Sequence, residues 1–243
     1  MEPADARRLR ADRARQVADV LRCQILRGAF ATGVLPREDR LVAEFGSTRN
    51  AVRDALDLLR GEGLIERLPG VGTVVTTTKY PHGLQRLLGL GETLHEHGEV
   101  ENELRASGTI TPPVAITSRL GLPADSPVVY LERLRRLNGV PLSLDQTYLE
   151  PGLGAALLEQ DLVHEDVFVL IERLRGPLGA ADLTVEAVNA DPHSAAVLAA
   201  PRGAALLMVE RLTHLADGRP VDLEFIRFRG DRLTMRGTLH RSL

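Results

Sequence analysis

Residues Ser47 to Leu56 read STRNAVRDAL. Arg49 and Arg53 lie four apart, about one helical turn, while Ala51, Val52, Ala55 and Leu56 fall at other phases. Ser47 or Thr48 is placed to cap a helix whose first turn carries Arg49, Asn50 and Arg53. Two such arginines alone are an ordinary solvated helix face; the flanking sequence changes that reading. Upstream, Val17, Val20, Leu21 and Ile25 recur at helical spacing, which predicts a helix over 13–27 that stops at Gly28. Gly33-Val34-Leu35-Pro36 is a turn. REDRLVAEF (37–45) predicts a short helix with Leu41, Val42 and Phe45 inward and Gly46 as a left-handed cap. The STRNAVRDAL helix turns Val52, Leu56 and Leu59 to the core and ends at Gly61 and Gly63. LIERLPGVGTVV (64–75) reads as two short strands around Pro69-Gly70-Val71-Gly72. Helix, short helix, glycine turn, helix and hairpin make a winged helix-turn-helix. Its second motif helix enters the major groove with N-terminal residues meeting bases and phosphates. Arginine can grip guanine or phosphate there, and asparagine can pair with adenine.

The charge distribution agrees. The whole chain of 243 residues carries a formal net charge of -3. Up to Lys79 there are 14 Arg and Lys against 11 Asp and Glu, and beyond it 16 against 22. A basic end and an acidic body predict two domains, of which the first suits a polyanion. Arg60 and Arg67 read as general surface charge. Cys23 is the only cysteine, which excludes an intramolecular disulfide and predicts a reducing, cytoplasmic setting. No apolar run of about 18 residues predicts a membrane span, and MEPADARRLRADRARQ has no apolar core of a secretory signal.

The ordered string Leu35-Pro36-x-Glu38, Ser47-Thr48-Arg49-Asn50-Ala51-Val52-Arg53-x-Ala55-Leu56, Leu59, Glu62-Gly63-Leu64-Ile65 and Gly70-x-Gly72-Thr73 resembles the DNA-binding domain of the GntR family over residues 13–77. The resemblance implies DNA contacts at Thr48, Arg49, Asn50, Arg53 and the wing tip Pro69-Gly70. Asp39 stands where several relatives carry an arginine that reads phosphate or base, and Arg37 or Arg40 is the expected substitute.

After an expected linker at 78–83 and an expected helix over 84–98, the second half contains an internal repeat. Leu120-x-x-Pro123 and Val128–Leu134 recur as Leu198-x-x-Pro201 and Leu206–Leu212 at an offset of 78. NGVPLSLDQTYL (138–149) recurs as DGRPVDLEFIRF (217–228) at an offset of 79. Each copy predicts a short helix, a strand, a tight Asn-Gly or Asp-Gly turn and a second strand. Helices are expected at 152–158 and 165–174, and a further strand at 181–190. This pattern resembles the UTRA ligand-sensing domain of the HutC subfamily. The resemblance rests on Leu131–Arg135, Gly139-x-Pro141, Tyr148-Leu149, Asp217–Pro220 and Arg229–Arg232. The expected fold is therefore α+β. A winged helix-turn-helix spans 1–77, and a chorismate-lyase-like antiparallel sheet with helices spans 84–243 and carries the effector site and the dimer contact.

Arg133 and Arg135 alternate on one strand and so share a face; the resemblance implies that they hold an anion. It also implies that Asp145 and Asp222 bond hydroxyl or amino groups of a ligand, and that Asp166, Phe168 and Phe228 line the pocket. Gly89, Leu90 and Gly91 fall where relatives that bind sugar phosphates carry hydroxyl residues around the phosphate. The losses of hydroxyl here point to a less polar effector with one acidic group. An ion pair of Arg133 or Arg135 with Asp145 or Asp222 is the structural alternative. His95 and His97, two apart on a helix, point away from each other, and no metal or cofactor is expected. No nucleophile-base set, P-loop or dinucleotide fingerprint is present, so no catalytic residue is expected. The resulting expectation is a homodimeric transcription regulator, a repressor. It binds a pseudo-palindromic double-stranded operator under control of a small, anionic effector. A small-acid lyase and a DNA binder with a vestigial sensor are the rival readings.

Overall fold

The structure, a computed structural model, describes residues 3–76 and 79–241. Thr77, the expected end of the first domain, and Thr78, the start of the expected linker, lie outside the described residues. The chain divides into two compact units, Met1–Lys79 and Tyr80–Leu243.

In the first unit α1 spans Pro3–Leu26 and begins ten residues before the expected start at residue 13. The early part is rich in Ala and Arg, both good helix formers, and has few apolar residues for periodicity to register. Ala14, Val17, Ala18, Leu21 and Ile25 form the buried stripe. Val20, expected inward, is 46% exposed because the two alanines complete the stripe instead. α2 spans Glu38–Phe45 and stops at Gly46, whose φ of 52° is the left-handed cap that glycine adopts without strain. α3 spans Arg49–Gly61 and buries Ala51, Val52, Ala55, Leu56 and Leu59 against α1 and α2. Arg10 of α1 grips Asp54 of α3 through two hydrogen bonds. β1 (Ile65–Leu68) and β2 (Gly72–Val75) pair antiparallel as the wing.

The second unit opens with β3, Tyr80–Gly83, which pairs parallel with β10, Leu233–Arg236. Residues 80–83, expected as linker, are therefore part of the second unit. The expected helix over 84–98 is confined to α4, Leu90–Leu94, followed by a single 3-10 turn at His95–His97. Gly89, Gly91 and Gly98 lower helix propensity along that stretch. The main sheet has six antiparallel strands in the order β4-β5-β6-β9-β8-β7. These are β4 Val100–Ile110, β5 Val128–Leu137, β6 Val140–Leu149, β7 Leu178–Asn189, β8 Ala205–Leu215 and β9 Pro220–Arg229. α5 (Val114–Arg119) precedes the first repeat hairpin and α8 (Pro192–Val197) the second. Between β5 and β6 both Asn138 (φ 52°) and Gly139 (φ 74°) are left-handed, as a two-residue hairpin turn requires. The repeats meet at the centre, where Asp145 faces Ile226 and Thr147 faces Glu224 across β6 and β9. α6 (Pro151–Leu158) and α7 (Val167–Arg175) cover one face of the sheet, burying Leu153, Leu157, Phe168 and Ile171 with Leu131 and Leu149.

Candidate nucleic-acid interface and effector pocket

Thr48 is the residue that caps α3: its Oγ1 accepts the Ala51 N–H at 3.2 Å. That fixes the first turn so that Arg49, Asn50 and Arg53 are exposed while Val52 and Leu56 anchor the helix. Neither arginine is free. Arg49 is ion-paired with Asp39, and Arg53 Nε lies 2.8 Å from Glu38 Oε2. Exposed pairs of this kind contribute at most about 1 kcal/mol, so a phosphate or a guanine edge can displace them. Arg37, Arg40 and Arg53 line a groove of about 590 Å³ between α2, α3 and the wing. Arg67, read from sequence as general surface charge, lines the same groove from β1 while remaining exposed. At the wing tip Pro69 and Gly70 are exposed, and Gly70 is left-handed with φ 77°.

In the second unit, strand alternation gathers charges on the sheet face under α6 and α7. Arg133 is 0% exposed and Arg135 3%. In register Arg133 faces Asp145, yet Asp145 is taken by Arg135, whose Nε lies 2.6 Å from its Oδ2. Asp145 also accepts the Ser143 hydroxyl at 2.7 Å. Arg133 is left with Glu224 at 3.8 Å, and none of its three nitrogens makes a hydrogen bond. Glu224 belongs to Arg211, whose Nε lies 2.9 Å from Oε2, with the Thr147 hydroxyl at 3.3 Å. The Arg211 guanidinium in turn lies 4.3 Å above the Phe168 ring. Asp222 is fully buried and neither of its oxygens has a hydrogen-bond partner.

The electrostatics follow from this arrangement. Burial, and then the neighbouring Glu224, hold the Asp222 carboxyl well above the usual carboxylate range. Burial works the same way on Glu224, but Arg211, Arg135 and Arg133 outweigh it and keep that group below its usual range. Burial beside Arg211 and Arg135 lowers the His82 imidazole to about 4. Asp166, at the start of α7, is also held below its usual range: Arg135 and Arg133 overcome its desolvation.

Between these groups lies a cavity of only about 30 Å³, lined by Arg135, Asp145, Arg211, His82 and Phe228, with Leu90 at its wall. A small-molecule pocket is about 300–1,000 Å³, so the site is closed around its own charges. It adjoins an open cleft of about 270 Å³ that shares His82, Leu84, Leu183 and Arg211 and runs under Leu87 and Leu88. Of the expected pocket residues, Arg135, Asp145, Phe228 and Leu90 line the cavity, and Asp166 with Gly91 closes on Arg135. Phe168 packs beneath Arg211, while Gly89 lies against Asp166. Arg133 and Asp222 are buried and are not among the residues that line the cavity. Glu224, Arg211 and His82 were not singled out from sequence. Arg211 and Glu224 are the repeat mates of Arg133 and Asp145, so the repeat offsets already pointed to them.

A winged helix-turn-helix joined to a sheet with a buried, unsatisfied polar face defines a DNA-binding regulator with a ligand-sensing domain. Comparison with known proteins supplies the family. Residues 13–75 match the bacterial regulatory proteins of the gntR family, and residues 95–234 match the UTRA domain. The chain belongs to the GntR-type regulators that carry a UTRA domain. It is a sequence-specific DNA-binding transcription regulator whose activity is modulated by an effector. The transcriptional repressor NagR of Bacillus subtilis is 29% identical over 90% of this chain and 91% of its own length. The histidine utilization repressor of Pseudomonas putida is 27% identical over 74% of this chain and 72% of its own length. Among solved structures, PhnF from Mycobacterium smegmatis superposes with a TM-score of 0.67 at 26% identity, covering 86% of this chain and 92% of that one. Among the described residues no helix is long and apolar enough to cross a membrane.

Proposed function

We propose that the protein is a repressor that holds a two-fold operator as a homodimer and releases it on binding a small carboxylate that also carries a hydrogen-bond donor. The carrying observation is the cluster of buried polar atoms without a hydrogen bond on this face, above all the three nitrogens of Arg133 and the two oxygens of Asp222. A buried polar group without a partner costs about 1–3 kcal/mol. A ligand with a carboxylate for Arg133 and an ammonium or hydroxyl for Asp222 recovers that cost, provided the cavity opens. Opening gives the ligand its differential affinity for two conformations, without which no equilibrium moves. Two relatives named as repressors support the sign of regulation. The dimer follows from operator geometry, since two recognition helices must lie about one DNA turn apart. In this reading Arg49, Asn50 and Arg53 contact bases and phosphates, Thr48 fixes their helix, Arg37 and Arg40 bind the backbone, and Pro69-Gly70 approaches it from the wing.

The test is operator binding by fluorescence anisotropy, titrated with a panel of amino and hydroxy carboxylates. At least one compound weakens operator binding tenfold or more in the wild type, and Arg133→Met no longer responds to it while binding the operator normally. An Arg133→Met protein that responds like the wild type removes Arg133 from the effector site.

A further inference from the structure

Asp166 does two things at once. Its Oδ1 accepts the Phe168 N–H at 3.2 Å and so caps α7. Its Oδ2 accepts the Gly91 N–H at 3.2 Å and lies 3.7 Å from Nη1 of Arg135. The side chain is 10% exposed and Arg135 beside it 4%. A backbone donor and a buried guanidinium converge here, which is the donor set that an oxyanion of a ligand uses. The chain fills that corner with a carboxylate of its own. Gly89 makes the room: a Cβ built on it lies 2.3 Å from the Asp166 carboxyl carbon and from Oδ2. Gly89 has φ -69°, a conformation open to any residue, so the carboxylate and not the backbone calls for glycine. The charge balance of the face points the same way. Arg133, Arg135 and Arg211 meet Asp145, Asp166, Asp222 and Glu224, so there is no surplus of positive charge for a dianion.

We propose that Asp166 is a specificity-determining residue, a built-in anion that occupies the oxyanion corner of the effector pocket and excludes ligands bearing a phosphate group. A phosphate entering the corner must expel Asp166 from Gly91 and Arg135 and uncap α7, or else stand beside a carboxylate. A carboxylate directed to Arg133 does neither. The inference rests on the pocket reading above and narrows its ligand class.

Inorganic phosphate is the probe, with binding to the full chain followed by calorimetry and by the thermal unfolding midpoint. Asp166→Asn and Asp166→Ser both retain a side chain able to cap α7. The expected result is saturable phosphate binding in both variants, at least tenfold tighter than in the wild type. In a second measurement Gly89→Ala lowers the unfolding midpoint of the wild type, and lowers it much less in the Asp166→Ser background, where the collision is relieved. Wild-type protein that binds phosphate as tightly as the variants overturns the proposal, as do two folded variants that both ignore phosphate. Failure of the pocket reading looks different: the wild-type carboxylate response survives Arg133→Met, whatever the Asp166 variants do with phosphate.

Discussion

Arg133 and Arg211 occupy equivalent places in the two repeats, each facing a carboxylate on the neighbouring strand, but only Arg211 is hydrogen-bonded to one. The cause is one substitution between the halves. In the first, Arg135 competes for Asp145 and wins it at 2.6 Å. In the second, the position equivalent to Arg135 is Thr213, so no second arginine of that strand competes with Arg211 for Glu224. The asymmetry leaves one buried guanidinium without a hydrogen bond, with only Glu224 at 3.8 Å, and the effector reading is built on that group.

The two arginines should therefore differ sharply in what they do for stability. Arg211→Met strips Glu224 of its main partner in a buried site, a change that typically costs about 3–5 kcal/mol. Arg133→Met removes a buried charge that makes no hydrogen bond and leaves Glu224 its closer partner Arg211, so its loss should be the smaller one. Urea unfolding of the two variants checks the order; a larger loss for Arg133→Met than for Arg211→Met would show that Arg133, not Arg211, is the structural member.

The same face makes stability depend on pH in two opposing ways. An unfolded histidine protonates near pH 6.5, whereas buried His82 does so only at about 4. Between those values the unfolded state binds more protons, so the His82 contribution falls as pH falls, by about 3 kcal/mol in all. Asp222 has the opposite sign. Its folded pKa is raised, so its contribution is fully present below the unfolded value of about 4 and is lost as pH rises. His82→Gln should remove the loss between pH 6.5 and 4, and Asp222→Asn should stabilise the protein at neutral pH and steepen the acid-side loss. Urea midpoints across this range test both; parallel profiles for the wild type and the two variants would contradict the assignment.

Much of this architecture was legible from local pattern. Thr48, Gly46 and the stripe of Val52, Leu56 and Leu59 announce α3 and its cap, because each acts within a few residues. The repeat offsets likewise announce the hairpins, and with them the equivalence of Arg133 with Arg211. Long-range facts were not legible. β3 and β10 are four-residue strands at opposite ends of the second unit, and no turn signal joins them. Gly89 carries no local sign that Asp166, 77 positions later, fills the space above it. The closure of the cavity depends on side-chain packing, which hydrophobic period does not encode.

One close approach gives a packing test away from the charges. Gly154 of α6 lies against β5 so closely that a Cβ on it would stand 2.3 Å from the Cβ of Val129. Gly154→Ala in this packed contact should destabilise by about 1–3 kcal/mol, although alanine is the better helix former. Val129→Ala in the same chain relieves the methyl contacts at 2.6 and 3.1 Å but not the one to Cβ, so recovery should be partial. Full additivity of the two losses in denaturant unfolding would mean that the helix and strand are not in contact there.

The recognition helix offers a prediction of the opposite kind, a gain. Asp39 is exposed and ion-paired with Arg49, which places a negative charge beside the residue proposed to meet DNA. Arg49→Ala should weaken operator binding by about 1–3 kcal/mol if Arg49 makes a bidentate base contact. Asp39→Ala frees Arg49 and removes a repulsion toward the phosphates, worth about 1 kcal/mol or roughly fivefold in Kd for charges near 4 Å in water. The gain should shrink as salt rises, because it is electrostatic and exposed. It should also fall in the Arg49→Ala background, to what the phosphate repulsion alone contributes. Anisotropy titrations of the four proteins at two salt concentrations measure all of these terms. If Asp39→Ala instead weakens binding, and does so only on the specific operator, then Asp39 accepts a hydrogen bond from a cytosine amino group. Its pair with Arg49 would then be part of the reading head rather than a mask over it.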